Sequence, residues 1–193
     1  MFVIGASFFA AATAPGVPAW VGAGAANLLC FVGSWFFTSA AWMQLVLSDR
    51  TSRFEWWSAA VQFVGTLLFN LSTGAAVWAH AVTSERRYVW VPDVTGSLFF
   101  LVSGALAMVA VAAVAGLLDF RSRDWLAGAV NLIGCVAFGI SAVAAFVRPT
   151  GVTADEVLAN LGTFVGALCF LAAALIELPR GGANQAGGPT DPA

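Results

Sequence analysis

Polar residues enter this chain as short islands between long apolar runs. Residues 1–48 carry no charged side chain, and neither do 56–84, 94–118, 125–147 and 157–176. Most of these runs match or exceed the roughly 20 residues that cross about 30 Å of hydrocarbon at 1.5 Å per residue. The islands supply the boundaries. Pro15 and Pro18 stop a first segment, 1–14, which is expected to be short or truncated. A second segment spans about 22–47. Ser52 and Glu55 have the spacing of a capping box and start a third, ending near Ala79. The stretch HAVTSERRYVWVPD (80–93) reads as a loop whose Pro92 and Asp93 open a fourth helix, about 93–117. A fifth covers about 124–147, before Pro149. Thr153 and Glu156 cap a sixth, about 154–178, which Pro179 ends. The Gly- and Pro-rich stretch 179–193 is expected to be a disordered tail.

Inside the apolar runs one pattern repeats. Gly5–Phe9, Gly33–Phe37, Gly65–Phe69, Gly96–Phe100, Gly134–Phe138 and Gly166–Phe170 all have the spacing G-x-x-x-F, one per segment. Random placement of 20 Gly and 16 Phe in 193 residues yields roughly two such pairs. Seven residues after each glycine stands Ala or Ser: Ala12, Ala40, Ser72, Ser103, Ser141, Ala173. These positions share one helix face. Lipid tails are as apolar as leucine, so membrane helices associate through close packing that small residues permit. The stripe therefore predicts a packing seam, with each phenylalanine as its knob.

A longer period lies over the short one. Trp56, Gly65, Phe69 and Ser72 map onto Trp125, Gly134, Phe138 and Ser141 at an offset of 69, and Gly96 and Phe100 onto Gly166 and Phe170 at 70. The fold class expected is an all-α, polytopic membrane protein. Its six transmembrane helices form a bundle of three parallel two-helix hairpins: 1–47 (the most diverged), 52–117 and 122–178. Asn131, Gly134, Phe138 and Ser141, followed by Gly166, Phe170, Pro179 and Arg180, give a hairpin that resembles the YrhK-like domain family of small bacterial membrane proteins. That resemblance implies a fold and a membrane location, and it carries no activity.

Composition adds little to this picture. The chain is 60% hydrophobic and 9% charged, against about a quarter charged in soluble domains. No basic patch points to nucleic acid. All eight basic residues are arginine, which fits a GC-rich bacterial genome. The N-terminal run lacks the positive flank of a signal peptide and is expected to stay on the chain. Arg50, Arg53, Arg121, Arg123 and Arg180 fall on one side of the alternating spans and Arg86, Arg87 and Arg148 on the other. This bias places both termini in the cytoplasm of a bacterial cell, with the chain in its inner membrane.

Little conventional chemistry is encoded. Cys30, Cys135 and Cys169 lie in apolar runs without CxxC spacing, and His80 is the single histidine. No catalytic residue, metal site or cofactor is expected. Deeper in the spans stand only neutral amides. Gln62 and Asn131 both lie three residues before a seam glycine, as does Asp93, and these three form the candidate polar site. Arg53 with Trp56, and Arg123 with Trp125, are the expected lipid-headgroup contacts. The expected function is structural or accessory, through packing with a second copy or another membrane protein. The alternative is a transporter or channel for a small neutral solute that uses the Gln62, Asp93 and Asn131 ring.

Overall fold

Each apolar run folds as a helix, and the turns fall close to the polar islands. The computed structural model describes residues 1–116 and 118–178; the expected tail at 179–193, with Pro179 and Arg180, lies outside them. The principal helices are α1 (Phe2–Thr13), α3 (Ala23–Leu47), α4 (Arg53–Ala75), α6 (Val91–Ala115), α7 (Arg123–Ala144) and α8 (Glu156–Glu177). Two short pieces, α2 (Val17–Val21) and α5 (Val82–Ser84), sit between them. Gly16 and Gly22 bracket α2 with positive φ of 86° and 84°, which lets the chain reverse within a few residues. The only strand-like pairing among the described residues is one antiparallel bridge between Val147 and Thr153.

Four helical stretches are long and apolar enough to cross a membrane: Ala23–Leu47, Val82–Val114, Arg123–Ala144 and Glu156–Glu177. Helix α1 has 12 residues, roughly 18 Å of rise. Helix α4 has 23 residues, but Gln62, Asn70 and the hydroxyls of Ser58, Thr66, Ser72 and Thr73 dilute its apolar character.

Several boundaries differ from the sequence expectation, each for a local reason. The expected loop at 80–93 is largely helical. Pro92 has no N–H, and in α-register its ring would collide with the Tyr88 carbonyl. A wider π-helical turn, Glu85–Trp90, absorbs the misfit, with Val91 N–H donating to Arg86 O five residues back. The fourth long helix thus begins at Val82 and runs through the proline. Helix α8 is capped not by Thr153 but by Asp155, which accepts from Leu158 N–H at 2.9 Å. Ser52 stands at the N-cap of α4 without a side-chain cap bond. Helix α7 starts on Ser122, which accepts from Trp125 N–H, and ends at Ala144 rather than 147. Between α3 and α4, Asp49 accepts from the Thr51 hydroxyl at 2.6 Å and the Thr51 amide at 2.8 Å. Those bonds, the hydroxyl first, hold its carboxylate below the usual range.

The six principal helices pack as a closed ring. Helix α1 lies on α3, α3 on α4, α4 on α6, α6 on α7, α7 on α8, and α8 returns to α1. Neighbours run antiparallel, as their registers show. Gly65 faces Phe100 while Gly96 faces Phe69; Gly5 faces Phe37 while Gly33 faces Phe9; Gly134 faces Phe170 while Gly166 faces Phe138. Backbones meet at these points. The carbonyl of Gly65 would lie 3.2 Å from a β-carbon on Gly96, and that of Gly134 3.1 Å from one on Gly166.

The ring encloses Phe9, Phe37, Phe69, Phe100, Phe138 and Phe170, each no more than 8% exposed. Two of the facing pairs stack: Phe69 on Phe100 at 4.8 Å and Phe138 on Phe170 at 5.2 Å. Phe9 meets Phe37 edge-on at 5.6 Å instead. Edge contacts then knit the pairs together, Phe9 to Phe69, Phe9 to Phe138 and Phe69 to Phe138, at 5.7–6.5 Å. Such offset and T-shaped geometries match the ring quadrupoles and stabilise by about 0.5–1.5 kcal/mol per pair beyond burial. The void left between the six rings is only about 10 Å³, about the space of one water.

Candidate functional site: a vestibule closed by phenylalanine

Helix direction decides which polar residues come together. Helices α1, α4 and α7 run one way, so the residue three before each seam glycine points toward the end that carries the 48–52 turn. Those residues are Phe2, Gln62 and Asn131, and all three line one cavity of about 300 Å³. Helices α3, α6 and α8 run the other way and contribute residues eleven after their glycines: Gln44, Ala107 and Glu177. Phe37, Phe100 and Phe170, one face of the aromatic cluster, form the floor. The cavity is a one-ended vestibule that stops at the phenylalanines.

Asp93 is not part of it. Its repeat position equals that of Gln62 and Asn131, but α6 is antiparallel to α4 and α7. The same step before glycine therefore leads to the opposite side of the phenylalanine layer. The expected three-residue ring is two residues, and Asp93 is half-buried near the far end of the bundle.

At mid-depth the hydrogen bonding is partly open. Ser58 and Ser103 form a reciprocal clasp between α4 and α6: each hydroxyl donates to the other's carbonyl at 2.9 Å. Ser103 also reaches Gln62 Oε1 at 3.3 Å. Among the described residues the Gln62 amide nitrogen has no partner, and Asn131 makes only a weak contact, Nδ2 to Cys135 Sγ at 3.9 Å. Gln44, exposed at the rim, adds a third carboxamide.

Charged groups ring the mouth. Arg123 donates through Nη2 to the carbonyls of Ile176 and Leu178, so its guanidinium covers the C-terminal end of α8. Trp125 is 9% exposed and packs edge-on against Phe120 at 4.7 Å. Its ring is buried, on the face of α7 that Ser122 starts. Arg53 is exposed, and Trp56 is half-buried with its ring 5.0 Å from that of Trp57. Asp124 and Glu177 stand exposed on the rim, and among the described residues Arg123 is the one cation that shares the lining with them.

Sequence reasoning missed two sets of residues. Along the chain Gln44 and Glu177 look like unrelated span-end residues; counting eleven past each glycine links them. The far end is tied by Trp90, whose indole donates to Ala142 O at 2.9 Å, and by Arg86, whose Nε donates to Val147 O at 2.6 Å. The Arg86 guanidinium lies 4.9 Å over the Phe146 ring. Both residues sit on the π turn that Pro92 makes look like a loop. Among the described residues no three His, Cys, Asp or Glu side chains converge as a metal site. No family model, curated protein or solved structure matches the chain.

Proposed function

We propose that this chain is a non-catalytic integral protein of a bacterial cell membrane that takes a small polar solute into a vestibule on its cytoplasmic side. In this reading six helices cross the bilayer as three like-oriented hairpins, similar to the YrhK-like pattern. Both termini lie in the cytoplasm. The observation that carries the reading is the cavity of about 300 Å³ that reaches Gln62 and Asn131, a volume at the lower edge of small-molecule pockets. The seams favour it as well. Each seam glycine faces a phenylalanine of the same chain, so the motif is consumed inside the ring and leaves no equivalent face for a partner helix.

A second reading, a structural or accessory protein working with a partner or a second copy, is favoured by the plug. Six rings around about 10 Å³ leave no through-passage. Single cysteines at Gln62 and Asn131, in a chain whose three native cysteines are replaced by alanine, separate the two. Membrane-impermeant maleimide should label both from the cytoplasmic face and neither from the outside. Inert residues from either side would favour the accessory reading.

A further inference from the structure

Resting on that vestibule, we infer that its ligand is a small organic cation: an ammonium compound with at least one hydrogen-bonding group. Three layers of the cavity point to it. At the mouth, Asp124 and Glu177 contribute two carboxylates, whereas the one guanidinium in the lining, Arg123, is drawn onto the terminal carbonyls of α8. The backbone adds no strong field of its own. Three helix N-termini and three C-termini meet at this end, and their dipoles oppose one another. Within the lining, carboxylates thus outnumber the guanidinium two to one, a balance that favours cations over anions. At mid-depth, Gln62 and Asn131 present amide groups without strong protein partners. A buried amide is stabilised when a ligand donor or acceptor completes it. At the floor, Phe37, Phe100 and Phe170 offer aromatic surface, to which a desolvated ammonium is attracted through the ring quadrupole. A neutral sugar would use the amides and leave the carboxylates unanswered. A carboxylate solute would meet like charge at the rim.

The test uses the full chain, otherwise cysteine-free, with Ala107→Cys in the vestibule lining, in inside-out membrane vesicles, and follows the rate of maleimide labelling. Choline and ethanolamine should slow labelling about tenfold at ten times their dissociation constant. Glycerol and acetate should not. Asp124→Asn with Glu177→Gln should label at the unprotected rate and lose the protection. If glycerol or acetate protects instead, or if nothing protects while labelling is brisk, the cation assignment is overturned and the vestibule survives. If the thiol introduced by Ala107→Cys and that of a second probe, Asn131→Cys, both stay unlabelled in a protein that elutes as wild type, the vestibule itself is wrong.

Discussion

A β-carbon placed on Gly96 would lie 2.7 Å from the ring of Phe69, while one on Gly65 would lie 2.9 Å from Phe100. Each helix of the pair thus supplies the gap that its partner's ring fills. Gly65→Ala, Gly96→Ala and Gly134→Ala should each destabilise the fold by about 1–3 kcal/mol, through overpacking against a ring that has nowhere to move. Gly24 provides the control, since a β-carbon there meets nothing within 4 Å. Thermal unfolding in mild detergent should lower the midpoint for the three seam variants and leave Gly24→Ala at or above wild type. Equal melting of all four would contradict the close-packing account.

The Ser58–Ser103 clasp is a test of polar glue between apolar helices. Its two hydroxyl-to-carbonyl bonds at 2.9 Å are buried. Ser58→Ala and Ser103→Ala each remove one hydroxyl-to-carbonyl bond and leave the other, and each should cost about 0.6–1.7 kcal/mol, the scale seen for bonds between membrane helices. Two variants as stable as wild type in equilibrium unfolding would show that the geometry contributes nothing net.

Phe138 is 3% exposed and touches Phe9, Phe69 and Phe170. Phe138→Ala should cost about 3–5 kcal/mol and open a gap in the phenylalanine layer behind the vestibule floor. Phe138→Leu keeps most of the volume and should cost less. Proteoliposomes carrying wild type should be tight to tetramethylammonium, with the alanine variant leaky and the leucine variant between. A tight alanine variant that still folds would mean the phenylalanine layer is not the barrier.

Helix α4 is the most polar of the long helices, and whether it crosses the membrane can be read from its two ends. Thr51→Cys and His80→Cys, each alone in the cysteine-free chain, should react with impermeant reagent from opposite faces, Thr51→Cys from the cytoplasm. Labelling of both from the same face would remove α4 from the spanning set.

The seam was legible because it is local: glycine, phenylalanine and a small residue at fixed steps on one helix face need no tertiary knowledge. What the steps point at was not. Gln62, Asn131 and Asp93 look equivalent along the chain, but equivalence in position does not survive a reversal of helix direction, so Asp93 lies across the phenylalanine layer from the other two. Proline misleads in the same region. Pro92 has the look of a break, whereas one π turn lets the helix continue and puts Arg86 and Trp90 in reach of Val147 and Ala142. Trp125 shows a third limit. Its burial follows from the rotation of α7, which no local pattern of the chain gives.

The closure of the ring has a consequence for how the molecule is made. Five of the six helix contacts join elements that follow each other in the chain and can form as each hairpin emerges. The sixth joins Phe2–Thr13 to Glu156–Glu177, so it must wait until nearly the whole chain has been synthesised. Until then α1 has one edge without its α8 neighbour, and the mouth of the vestibule has no fixed outline. Assembly therefore ends with a single long-range event whose cost is dominated by loop closure. The vestibule comes into being in that same step.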